Sequence, residues 1–174
     1  MTVWSAREPA SSRTLSEADF DVPIGDRYFE DYKEGAVYEY GYATVEQEEL
    51  VAFARRFDPQ PMHADAEFAA AGPFGGLIAS GWYTGGIFMR LFADHYLSRV
   101  AGLASPGLDD LRWPAPVRPG DTLRLRTTTT QTRRSRSRPD RGLVVTHAEL
   151  LKTEDSVVLS LEAMNLLRLR RPRD

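Results

Sequence analysis

Asp58-Pro59-Gln60-Pro61-Met62-His63 sets a carboxylate and an imidazole five positions apart across two prolines. Asp with His is the simplest pair that can orient one water and take a proton from it near neutral pH. Each proline fixes φ at about −65° and lacks an N–H, so the run is expected to leave the helix before it and form a stiff, non-repetitive loop. A stiff loop can aim both side chains at a common point. The alternative is a plain helix C-terminus followed by a polar loop, with His63 at the surface.

The flanking sequence supplies elements to hold that loop. Residues 37–43 are rich in Val and Tyr and read as a strand after a turn at Glu34-Gly35. Thr44 reads as an N-cap, with Gln47 completing a capping box. Leu50, Phe53, Ala54 and Phe57 then recur at i, i+3, i+4 and i+7, the spacing of one buried helical face. Residues 64–71 can form a short helix leading into Gly72-Pro73-Phe74-Gly75-Gly76. A second helix is expected from Ser80 to about Ser98, apolar over most of its circumference and therefore enclosed by other elements. Gly81, Gly85 and Gly86 would each weaken it by about 1 kcal/mol relative to Ala, which is tolerable where a sheet or a ligand approaches the backbone closely.

The remainder alternates as strands do. Residues 108–113 precede a Pro-Gly turn region ending at Asp121. Residues 123–132 continue as a strand into a polar tip at 133–142, and residues 143–152 and 157–169 are joined by a hairpin at Glu154-Asp155. One buried helix followed by long antiparallel strands predicts an α+β architecture, a curved sheet wrapped around the helix. Residues 1–27 lack periodicity and read as an N-terminal extension, flexible or packed as an arm; the folded domain is expected over residues 28–170.

The composition excludes several functions. The chain has 174 residues, a net charge of −3 and 42% hydrophobic residues, so it can build a core but offers no overall basic surface for nucleic acid. It has no cysteine, which removes thiolate chemistry, and its three histidines (63, 95 and 147) make a multi-histidine metal site unexpected. The absence of cysteine is compatible with a reducing cytoplasm. No apolar segment follows Met1-Thr2-Val3-Trp4, so no secretory leader is expected. Residues 69–89 carry no charge, but Pro73 and six glycines divide the run into a turn and a buried helix rather than a membrane span.

The stretches Phe57-Asp58-Pro59-Gln60-Pro61-Met62-His63-Ala64-Asp65, Phe74-Gly75-Gly76-Leu77-Ile78-Ala79-Ser80-Gly81, and Leu111-Arg112-Trp113 with Pro116-Val117-Arg118-Pro119-Gly120-Asp121 occur in the order of a known family. Over about residues 28–168 the chain resembles the MaoC-like dehydratases, the (R)-specific enoyl-CoA hydratase family with the hotdog fold. The hydratase motif reads Asp-x-Asn-Pro-x-His-x-Asp; here Gln60 replaces the Asn. The resemblance implies that Asp58 and His63 are the catalytic pair and that the backbone N–H of Gly81 is the oxyanion donor to a thioester. Ser80 stands where hydratases carry a histidine before that glycine, and Gly86 where some carry a serine; with Gln60, these are expected to shape substrate binding.

The implied substrate is an acyl-CoA thioester, with no separate cofactor and no metal. Its phosphates need cations, and Arg136 and Arg138 in the basic cluster at residues 133–141 are candidates, the alternative being a solvated hairpin tip. A hotdog acyl-CoA thioesterase and a non-catalytic acyl-binding or assembly module are the competing functions. A single hotdog sheet leaves an exposed edge and an open helix face, so a homodimer or higher homo-oligomer is expected.

Overall fold

The computed structural model describes residues 20–171; residues 1–19 of the expected extension lie outside them. Within residues 20–27, Phe20 stacks on Tyr38 at 4.3 Å between ring centroids. Buried Arg27 donates to the carbonyls of His95 (3.0 Å) and Tyr96 (2.8 Å).

Five strands, β1 (Val37–Thr44), β2 (Gly102–Arg112), β3 (Thr122–Arg134), β4 (Arg141–Lys152) and β5 (Val157–Arg168), form one antiparallel sheet in the order β1-β3-β4-β5-β2. The two-residue period of the strands sorts their side chains between faces. Val144, Ala148 and Leu150 of β4 and Leu123 and Leu125 of β3 point inward and are fully buried. Arg124 and Arg126 of β3 point outward and share Glu39. His147, also on the outer face, is paired locally with Glu162 at 2.8 Å.

The inner face packs on the central helix α4 (Gly81–Leu91), which continues as a π-helical turn, Phe92–Tyr96. Ile87, Phe88, Leu91, Phe92 and Tyr96 are buried in this core. This is the sheet around a helix that the sequence predicts. The apolar circumference of α4 predicts full enclosure, but one face stays open, as expected of a single sheet on a helix. Trp82 is 63% exposed and Met89 46% exposed, because the sheet covers one side of α4 and leaves the other bare.

Among the described residues three α-helices precede α4: α1 (Gln47–Phe57), α2 (Pro61–Ala64) and α3 (Ala66–Ala71). Two local expectations are corrected here. Thr44 is the last residue of β1 and the N-cap is Glu46, without a side-chain bond. Leu50 and Ala54 are buried as predicted, but Phe57 is 62% exposed because α1 turns away from the core before its last residue. Among the described residues no helix is long and apolar enough to cross a membrane.

Candidate active site

α1 stops at Asp58, whose backbone (φ −148°, ψ 69°) is non-helical as expected before a proline. The loop is shorter than the sequence predicts. Pro61 is the first residue of α2, where its missing N–H would have been unpaired in any case. This single helical turn carries His63 and fixes its direction. The turn ends at Asp65, whose side chain caps α3 through the N–H groups of Glu67 and Phe68, both at 3.0 Å.

Four groups converge on this corner. His63 is 5% exposed, and its Nδ1 lies 2.8 Å from the carbonyl oxygen of Ile78. A carbonyl only accepts, so Nδ1 carries a proton, and Nε2 faces Asp58 Oδ2 at 3.6 Å. That gap exceeds a direct hydrogen bond, yet one water can touch both atoms. Ser80, completely buried as the N-cap of α4, donates to Asp58 Oδ2 at 2.6 Å. Gln60 Nε2 donates to Asp58 Oδ1 at 2.7 Å. These bonds stabilise the anion, Ser80 most and Gln60 next, with the neighbouring His63 adding less. They outweigh the opposing effect of burial and hold the Asp58 carboxyl below its ordinary pKa.

A strap, residues 73–80, carries both the Ile78 carbonyl and Ser80. It is fastened by Ala79 N–H to the Val117 carbonyl at 2.8 Å. The Arg118 guanidinium donates to the carbonyls of Phe74 (2.6 Å) and Leu77 (3.5 Å). Between strap, α4 and the Trp113–Val117 segment lies a cleft of ≈ 370 Å³, lined by His63, Gly81, Trp82, Thr84 and Trp113 among others. Gly81 opens α4, so its N–H has no partner within the helix. Its lack of a side chain is required: a Cβ would sit 2.8 Å from Trp113 Cε2. The Trp113 indole N–H bonds the Gly81 carbonyl at 3.0 Å.

The structure therefore brings Asp58, His63, Ser80, Gln60 and Gly81 together, with His63 and Gly81 in the cleft wall. Ser80 and Gln60, expected to shape substrate binding, have their side chains bonded to Asp58. Gly86 lies over a turn further along α4, exposed, outside the cleft lining. Arg136 and Arg138 are not brought to the cleft. They lie past the end of the 13-residue strand β3, in the connection to β4, and neither lines the cleft. Ile78 and Arg118 are the contributors that sequence reasoning leaves without these tasks. A backbone carbonyl carries no residue signature, and an arginine that bonds main chain looks like any other arginine.

Comparison with known proteins identifies the family and the fold. The family model of the MaoC like domain matches residues 32–149. The 3-hydroxyacyl-thioester dehydratase Z of Mycobacterium tuberculosis is 42% identical over 85 residues, 48% of this chain and 56% of that protein. The chain thus spans about half the length of that curated relative. The crystal structure of a MaoC-like dehydratase from Rhodospirillum rubrum superposes with a TM-score of 0.78 at 39% identity, covering 84% of this chain and 99% of that one. A conserved hypothetical protein of Mycobacterium tuberculosis with a double hotdog fold shares the fold at 20% identity, with a TM-score of 0.71 over 88% of this chain and 47% of that one. The antiparallel sheet around α4 is a hotdog fold, and the chain belongs to the MaoC-like domain family.

Proposed function

We propose that the protein is a hydratase/dehydratase that adds or removes water across the double bond of an enoyl-CoA thioester, with (R)-specific syn stereochemistry. The observation that carries this reading is the Asp58 Oδ2–His63 Nε2 pair, 3.6 Å apart, beside a cleft whose wall includes the first residue of α4. In hydration, water held by the pair bonds to Cβ and gives a proton to Asp58. The π electrons move through Cα onto the thioester oxygen, which the Gly81 N–H and the positive end of α4 stabilise. The enolate then collapses and Cα takes a proton from Nε2 of His63, which enters this step as imidazolium with a proton on each ring nitrogen. Return of the proton from Asp58 to Nε2 restores the pair. Water and proton arrive from one side, hence syn addition.

The proposal includes a homo-oligomer, at least a dimer, acting in the cytoplasm; the cysteine-free sequence suits a reducing compartment. The test is loss of the enoyl-thioester absorbance with crotonyl-CoA. Wild type is expected to turn over, and Asp58→Asn and His63→Ala each to lose about 10²–10⁴-fold. Thiol release instead would identify a thioesterase, and full hydration by both variants would overturn the mechanism.

A further inference from the structure

A second apolar pocket, ≈ 260 Å³, lies along α4 beyond the catalytic corner, between the helix and strands β2 and β5. Phe88, Met89 and Phe92 form its helix side, and Leu108 of β2 and Asn165 of β5 contribute to the other walls. The two pockets lie on one line. Gly81 in the first and Phe88, Met89 and Phe92 in the second stand at i, i+7, i+8 and i+11, one side of a helix, with Gly85 at i+4 between them. A Cβ added at Gly85 would meet nothing within 4 Å. The opposite wall follows the same path, from Trp113 at the cleft to Leu108 at the second pocket, because β2 runs back along α4.

The far pocket is apolar apart from Ser98, Ser105 and Asn165. Asn165 is 93% buried (7% exposed), and its Nδ2 has no hydrogen-bond partner among the described residues. The other polar side chains of that pocket are engaged: Ser98 with the Arg27 carbonyl and Ser105 with the Gly107 carbonyl. A buried amide left unpaired costs free energy that a ligand oxygen can recover.

We propose that this groove takes the acyl chain of the thioester and that Asn165 selects chains bearing an oxygen at the far end. The proposal rests on the hydratase reading above. From Gly81 to Phe88–Met89 the helix rises about 11–12 Å at ~1.5 Å per residue, which an extended chain of about ten carbons spans with C–C bonds of ~1.5 Å. A terminal hydroxyl suits the site because it can accept from Nδ2 or donate to Oδ1, whichever amide atom faces the groove.

The test compares saturated acyl-CoA ligands of ten carbons, with and without a terminal hydroxyl, by calorimetric titration of the wild-type protein. The hydroxylated ligand is expected to bind about tenfold more tightly, and Asn165→Leu, which keeps the branched shape but removes the amide, to abolish that preference. Equal binding by wild type, or a preference that survives Asn165→Leu, overturns the proposal. So does a variant whose oligomeric state changes while its preference stays, since Asn165 would then serve packing between copies. Hydration of crotonyl-CoA is measured in parallel. If no enoyl thioester is hydrated but the calorimetric preference holds, the reaction is wrong and the groove stands.

Discussion

Ser80 touches two partners at once: its hydroxyl donates to Asp58 and accepts from the N–H of Trp82 at 3.2 Å. The start of α4 and the Asp58 carboxylate therefore share one side chain. Because the Ser80 bond is the largest influence lowering the Asp58 pKa, Ser80→Ala is expected to move the Asp58 limb of the pH–rate profile upward. The same sign holds for stability. A depressed carboxylate contributes above its unfolded pKa of about 3.9, and the contribution is lost as pH falls through the lower folded value. Ser80→Ala removes part of that contribution at neutral pH, and the lost cap costs about 1 kcal/mol as well. Ser80→Thr should restore the limb and most of the denaturation midpoint. A normal pH limb in Ser80→Ala would show that the hydroxyl does not tune Asp58. The sequence makes Ser80 visible as a departure from the family motif, but its partner lies 22 positions away, and no local pattern reveals it.

Among the elements, the strap over residues 73–80 does the positioning, and Arg118 is its main side-chain fastening. The planar guanidinium reaches two carbonyls at once, a task that a lysine ammonium on a flexible stem does less well. Both Arg118→Lys and Arg118→Ala are expected to speed amide exchange at Ile78 and Ala79, whose N–H groups bond the Met62 and Val117 carbonyls. Stability should fall by about 1 kcal/mol in the alanine variant. Hydration should weaken as well, because the Ile78 carbonyl no longer holds the His63 ring. Unchanged exchange at those amides would assign the strap's order to the backbone alone. The helices and strands were largely readable, since period and turn residues report directly on local geometry. The π-helical turn and the short α2 were not, and the open face of α4 was expected only through the family resemblance. They depend on what packs against the helix and on proline's tolerance at a helix start, both settled by tertiary contacts.

At the scale of the molecule, one flank is unfinished. Among the described residues β2 pairs only with β5, which leaves the outer side of this 11-residue strand as a sheet edge. Beside it stand Trp82 (63% exposed), Met89 (46%), Leu108 (43%) and Trp113 (41%). Trp82 and Trp113 also line the cleft and meet edge to face at 5.7 Å. An apolar patch continuous with a free strand edge is the combination that a second copy covers isologously. The proposed dimer therefore buries this flank and closes the cleft and the groove along α4 against water. Sedimentation at micromolar concentration should give twice the chain mass, and Met89→Glu, which places a charge in the buried patch, should shift the protein toward monomer. Hydration of crotonyl-CoA should fall with dimer fraction rather than with folded fraction, because Met89 lies eight residues along α4 from Gly81, beyond the reach of so short an acyl chain. A monomeric wild type with full activity would show that one chain suffices to form the site.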